Sequence, residues 1–278
     1  MIATYKRFGR LGNRLFLFSH LIAFSERFGV DVYSPAFAEF RKCFPYFTDA
    51  SCPYVRAGGI DAVPRQYPGA WYRAEALLGI IPTVRFWDER DVVFDGDDAG
   101  DPRVSAMVEK GRIVFEGWKF RSHETILSIM PKLRNVFKPR EDIQRVVSDR
   151  LVEAKGRGDT VVGVHLRWED YRGTPLFFPL AFFLDRMKEI AELLQPAKTS
   201  FLIVSPEKLD QADFPAECII CSGGGAVHDL YTLAACDYIM GPPSTFSGWA
   251  SFYGGKPLFA MREDSRFDDL STVETIRW

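Results

Sequence analysis

The sequence predicts an α/β chain of two domains, at least one of them a parallel sheet covered by helices on both faces. Three observations predict it. From residue 160 onward, short β-branched runs alternate with helical stretches, the pattern of parallel strands joined by crossover helices. Near the start, the apolar run Ile2 to Tyr5 passes through the turn Gly9-Arg10-Leu11-Gly12 into a helical stretch, a β-loop-α entry. The length of 278 residues is more than a single ordinary core requires.

Taken in order, the first half opens with that strand and a helix from about Asn13 to Phe28. From Tyr33 to Asp101 the chain is irregular and rich in aromatics, Pro and Gly, a composition suited to shaping an acceptor cleft. Arg112 to Phe115 is a further strand, followed by Glu116-Gly117-Trp118 and a helical stretch through Val136, which Pro139 ends. A helix from Glu141 to Ala154 then runs into Lys155-Gly156-Arg157-Gly158-Asp159, whose composition reads as a linker. The expected domains are therefore residues 1–155 and 156–278.

The second half gives a strand at Thr160 to Leu166, a helix at Pro179 to Leu194, and strands at Ser200 to Val204 and Glu217 to Cys221. A helix at Ala226 to Ala235, a strand at Tyr238 to Met240, a helix at Thr245 to Tyr253 and a strand near Lys256 to Phe259 complete it. Ligands of such sheets bind at the carboxyl ends of the strands. The segments there are Arg167 to Arg172, Ser205 to Glu207 and Gly241 to Ser247.

Composition narrows the function. The net charge of −2, with no long basic run, argues against a nucleic-acid partner. The run Leu15 to Phe24 is too short and too interrupted to span a membrane and reads as a core helix. With no secretory signal in view, a cytoplasmic location is the default expectation. The five cysteines suit a reducing compartment. Cys218 and Cys221 have metal-site spacing, but on a strand, positions three apart face opposite sides, so both are expected to be core residues. Asp95-Gly96-Asp97-Asp98 resembles the paired acids of a divalent-ion site, yet its setting reads as a solvated turn, and no metal is expected.

Three clusters carry candidate chemistry. His165-Leu166-Arg167-Trp168-Glu169-Asp170-Tyr171 gathers polar and aromatic groups at one strand end, where an Arg offers a charged fork suited to phosphate oxygens. Taken alone, an ion pair from Arg167 to Asp170 or Glu169 that ties down the loop accounts for it equally well. In Gly241-Pro242-Pro243-Ser244-Thr245-Phe246-Ser247-Gly248-Trp249 a strand ends and Ser or Thr caps a new helix, giving either an anion site or a plain structural cap. Gly9-Arg10-Leu11-Gly12-Asn13 allows close backbone approach but has neither the dinucleotide fingerprint nor the phosphate-loop ending.

Together these segments resemble the α-1,2-fucosyltransferases of glycosyltransferase family 11 and, more distantly, the α-1,6- and protein O-fucosyltransferases. Gly9 to Phe16 is similar to the family's Gly-Gly-Leu-Gly-Asn-Gln-Leu/Met-Phe, His165 to Tyr171 to its His-x-Arg-Arg-Gly-Asp-Tyr, and Ser244 to Trp249 to its Ser-Thr-Phe-Ser-Trp-Trp. Glu116-Gly117-Trp118 and Asp229-Leu230-Tyr231 also fall at family positions. The resemblance implies a GT-B-like α/β fold, two Rossmann-like domains facing a cleft, with GDP-fucose bound mainly by the C-terminal one. It further implies inverting transfer without a metal cofactor to a glycan acceptor. Arg167 would pair with the donor diphosphate, Ser244, Thr245, Phe246 and Ser247 would hold the same phosphates, His165 and Asn13 would border the fucose from opposite domains, and Gly12 would also bind the donor.

The chain departs from the pattern at three places. Trp168 stands for the second Arg, Glu169 for the Gly, and Ser205-Pro206-Glu207 for the Ser-Asp-Asp whose acid reads guanine, a role that would pass to Glu207. Asp170 and Glu169 are the candidate bases by location. Two alternatives stay open: a different nucleotide-sugar donor, and a glycan- or nucleotide-binding relative without catalysis. The expected setting is bacterial surface-polysaccharide synthesis, such as O-antigen or capsule, with peripheral contact at the inner membrane face through a lipid-linked acceptor.

Overall fold

A computed structural model describes residues 2–4, 8–48, 52, 83–86, 108–109, 113–117, 120–169, 171–221, 223–270 and 273. The chain divides into two units, residues 1–139 and 140–277.

The first unit holds strands β1 (Ile2–Ala3), β2 (Val32–Tyr33), β3 (Thr83–Phe86) and β4 (Ile113–Gly117), all parallel, in the order β2-β1-β4-β3. Its long helix, α1 (Leu11–Phe28), starts two residues before the expected Asn13. Every residue from Leu15 to Phe24 is buried, so the apolar run is a core helix. Gly29, in the left-handed region at φ 63°, ends it by donating its N–H to the Ser25 carbonyl, a conformation that favours glycine. Two short helices follow, α2 (His123–Ile126) and α3 (Met130–Val136).

The aromatic-rich segment after β2 begins with 3-10 turns at Pro35–Cys43 and Pro45–Thr48. Phe37, Phe44 and Phe47 from these turns are buried and pack against Phe18 and Phe137 at ring separations of 5.2 to 5.9 Å. These aromatics form core, as unassigned aromatics at irregular spacing usually do. Trp71, Tyr72, Trp87 and Trp118 and the acidic segment Asp95 to Asp98 lie outside the described residues, as does the side chain of Phe86.

The second unit begins with α4 (Glu141–Lys155), then runs β5 (Thr160–His165), α5 (Leu180–Leu193), β6 (Thr199–Val204), β7 (Cys218–Ile220), α6 (Ala226–Ala235), β8 (Tyr238–Gly241), α7 (Thr245–Gly254) and β9 (Leu258–Ala260). All five strands are parallel, in the order β7-β6-β5-β8-β9. Period-2 alternation sends successive residues to opposite layers. Val162, Val164, Phe201 and Ile203 pack with Phe183, Met187 and Ile190 of α5, whereas Val161 and Leu202 pack with Ala154 and Cys236. Cys218 belongs to the first layer and Cys221 packs against the second, so the two thiols face opposite sides of the sheet.

The break between units falls before α4, not after it at residue 155 as the linker-like composition suggests. Two features explain this. Arg150 of α4 is buried and its guanidinium donates to Thr232 Oγ1 at 2.9 Å and Asp229 Oδ1 at 3.1 Å, both on α6. Gly158 is no flexible joint: a Cβ there would lie 2.7 Å from the Lys198 carbonyl oxygen and 2.8 Å from the Ser200 nitrogen. The glycine allows a tight turn that seats β5 beside β6.

Candidate functional site

From β5 the chain crosses to β6 and β7 on one side, then returns to place β8 and β9 on the other. The order reverses between β5 and β8, and ligands of open parallel sheets bind in the crevice outside such a reversal, at the carboxyl ends of the strands. His165 ends β5 and Gly241 ends β8. The segments 165–171 and 241–247 therefore meet by topology.

They touch. A Cβ on Gly241 would lie 3.0 Å from His165 Cβ and 3.1 Å from Ser247 Oγ, so any larger residue would have to push the two strand ends apart by a few tenths of an ångström. His165 Nδ1 is 2.8 Å from Ser247 Oγ, both residues are buried, and the imidazole lies 4.8 Å from the Phe246 ring. Ser247 Oγ is also 3.3 Å from the Pro242 carbonyl oxygen. Ser247 Oγ also lies 3.2 Å from Ser244 Oγ. When Nδ1–H donates to Ser247, the hydroxyl donates on to Pro242 or Ser244 and Nε2 is unprotonated; when Ser247 O–H donates to Nδ1, Nε2 carries the proton.

Ser244 is the N-cap of α7, its Oγ accepting from the Ser247 N–H at 3.2 Å. The structural-cap account of Ser244 thus holds, and it coexists with an anion-attracting helix terminus at Thr245 and Phe246. Arg167, two residues beyond β5, sets its guanidinium 4.9 Å from the Tyr171 ring centre, a cation–π contact that orients the fork. Asp170 lies outside the described residues.

Glu207 is committed within the protein. Its Oε1 accepts from the Trp168 and Glu169 N–H groups, each at 2.6 Å, and its Oε2 accepts from Ser205 Oγ at 2.7 Å. The Trp168 indole N–H donates to the Phe178 carbonyl at 2.8 Å, and its ring packs against the core. The tryptophan that replaces an arginine of the resembled motif is a structural anchor here.

Gly12 and Asn13 begin α1 in the first unit. Gly9, at φ 62°, sits so close to Asn13 that a Cβ would be 2.0 Å from Asn13 Nδ2, and Arg14 donates to the Gly9 carbonyl at 3.0 and 3.2 Å. The turn is thus held from within.

Sequence reasoning missed a buried network behind the sheet edge. Arg150 also donates to the Gly223 carbonyl at 2.7 Å, fixing the start of Gly223-Gly224-Gly225, all at positive φ. Burial holds the Asp229 carboxyl above its usual range, outweighing the pull of Arg150. The signal was a lone arginine on the inner face of a helix, with buried Ile143, Val147 and Ala154. Among the described residues no group of His, Cys, Asp and Glu is arranged to hold a metal ion, and no helix is long and apolar enough to cross a membrane.

No family model and no curated protein matches the sequence. Solved structures do match in fold. The chain is similar to a point mutant of FUT1 from Arabidopsis thaliana in complex with GDP (TM-score 0.57, 12% identity, covering 98% of this chain and 73% of that one). It is equally similar to the fucosyltransferase NodZ from Bradyrhizobium (TM-score 0.57, 15% identity, 98% and 96% covered). POFUT1 in complex with GDP matches with a TM-score of 0.54 at 14% identity, over 94% of this chain and 98% of that one. These matches establish a GT-B type of α/β fold.

Proposed function

We propose that the chain is an inverting, metal-independent glycosyltransferase that moves fucose from GDP-fucose to a hydroxyl of a glycan acceptor. One observation carries this reading. At the reversal point of the second sheet, a permanently charged guanidinium at the end of β5 and the N-terminus of α7 at the end of β8 offer two complementary sources of positive potential for a diphosphate. The solved structures of like fold include complexes with GDP and a NodZ α-1,6-fucosyltransferase soaked with GDP-fucose, which supports the choice of donor.

In this reading Arg167 and the Ser244-to-Ser247 turn bind the diphosphate and offset the charge that develops on the departing GDP, leaving no task for a metal. His165 borders the transferred sugar, with its ring oriented by Ser247. Asp170 is the base that accepts the acceptor hydroxyl proton. In the same reading, guided by the family 11 resemblance, the acceptor is a galactoside and the product belongs to bacterial surface polysaccharide made at the cytoplasmic face of the membrane.

Calorimetric titration with GDP and GDP-fucose in chelator tests the donor assignment. The wild type binds both without metal, and Arg167→Ala weakens binding by about 10- to 100-fold, the loss expected when a charged bidentate partner is removed. No binding of either ligand by the folded wild type would sink it. A second donor reading rests on Glu207, whose oxygens already serve the protein: the base is then read elsewhere, and a panel of nucleotide sugars identifies it.

A further inference from the structure

Arg167 stands on a short loop whose backbone is held on both sides. Before it, Leu166 is fully buried and its N–H donates to the Val204 carbonyl at 3.0 Å, extending the β5–β6 ladder. After it, Trp168 and Glu169 turn their N–H groups onto one carboxylate oxygen of Glu207, from the loop after β6. Two successive backbone N–H groups aimed at one point form a concave anion site, and here the protein fills it with its own carboxylate. Ser205 steadies that carboxylate from the far side, its hydroxyl donating to Oε2 while its oxygen accepts from the Glu207 N–H at 3.2 Å.

What hangs on the clamp is the remainder of the loop. Tyr171 and Arg172 both donate their N–H groups to the Trp168 carbonyl at 3.0 Å, so the position of Trp168 sets the position of Tyr171. Tyr171 in turn carries the Arg167 guanidinium on its ring face. Removing the Glu207 carboxylate leaves two N–H groups without their anion and loosens the Trp168–Glu169 backbone, while Leu166 and the Trp168 indole keep their own anchors at Val204 and Phe178.

We infer that Glu207 is a positioning residue for Arg167: it acts through the backbone of Trp168 and Glu169 to aim the guanidinium, and does not read the nucleotide base. This deepens the proposed function and rests on it for the ligand, but the clamp itself is a property of the fold.

The two roles separate by base dependence. Affinities for GDP, ADP and UDP are measured by calorimetry for wild type, Glu207→Ala and Glu207→Gln. A clamp predicts that Glu207→Ala weakens every diphosphate the wild type binds by the same factor, about 10-fold, because a displaced charge partner costs all of them alike. Glu207→Gln, whose amide oxygen still accepts both N–H groups, restores affinity to within about 3-fold of wild type. A loss confined to GDP in both variants overturns the clamp. Amide hydrogen exchange reads it without any ligand: protection of the Trp168 and Glu169 N–H groups falls in Glu207→Ala and persists in Glu207→Gln. Unchanged protection in Glu207→Ala overturns it. If the folded wild type binds no nucleoside diphosphate, the functional reading fails and the exchange result alone decides the clamp. Should Glu207→Ala fail to fold, Glu207→Asp, which withdraws the carboxylate by one methylene, gives the same readings.

Discussion

A single hydrogen atom in place of a side chain decides how closely the two halves of the candidate site meet. At Gly241 an added methyl would press on His165 Cβ at 3.0 Å and on the His165 carbonyl oxygen at 3.2 Å, neither of which can swing away. Gly241→Ala is expected to destabilise the fold by about 1–3 kcal/mol, as overpacking does, and to weaken nucleotide binding more than a matched loss at Gly156, whose neighbours lie at 3.3 and 3.7 Å. Equal effects on binding would show that the approach of β5 and β8 is not part of the site. At Arg150 the issue is charge. Its ion pair with Asp229 is 3.1 Å long, with side-chain exposures of 9% and 16%. Breaking it leaves a part-buried carboxylate without its cation, so Arg150→Met should cost about 2–3 kcal/mol, toward the lower end of the cost of breaking a buried pair, measured by denaturant unfolding. Asp229 also fixes a pH slope. Burial raises its pKa above 3.8 despite Arg150, so just above that value the folded state holds a proton that the unfolded chain has lost. Stability therefore declines as pH rises across this window, and Asp229→Asn should remove that part of the slope.

At the scale of elements, α7 shows what one cap does for a helix terminus. The Ser244 side chain satisfies the Ser247 N–H, so Ser244→Ala should cost about 1 kcal/mol, whereas Ser244→Gly should cost only a few tenths. A circular-dichroism melt distinguishes the two. Elements such as α7 were legible because the second sheet is buried on both faces: β5 and β6 read as unbroken apolar runs, and prolines and glycines mark where helices begin and stop. The expected strand and helix bounds there fall within two residues of the observed ones. In the first unit β1, α1 and β4 were legible, but the stretch that follows α1 was not, for a physical reason. β2 is two residues long, too short to show a period, and 3-10 turns that bury Phe37, Phe44 and Phe47 have neither helical nor strand spacing. Which segments meet at the candidate site was legible from the carboxyl-end rule, but its wiring was not. That Glu207 would turn back onto the Trp168 and Glu169 amides, or that Arg150 would hold Gly223, depends on contacts 38 to 73 residues apart in sequence, which no local pattern encodes.

The largest departure concerns the whole chain, where the linker-like segment 155–159 suggested that the second unit starts after α4. Composition misled because the glycines there are demanded by packing: Gly158 fits between backbone atoms of β6 and the turn before it, and Arg157 donates to the Ala216 and Cys218 carbonyls at 3.0 and 2.9 Å. Meanwhile α4 supplies one wall of the sheet's second layer, through Ala154 packed with Val161, Leu202 and Cys236, and through the Arg150 network on α6. A fragment spanning residues 140–277 should therefore unfold cooperatively. A fragment spanning 156–277 loses Ala154 and Arg150 together, exposing apolar surface on β5 and β6 and leaving Asp229 without its cation. Those losses, several kcal/mol by the cost of breaking a buried pair alone, are comparable with the whole stability of an ordinary domain. The shorter fragment should thus melt broadly or aggregate, and thermal unfolding of both side by side gives the comparison. Equal cooperativity in the two fragments would put α4 outside the second unit and return the boundary to residue 155.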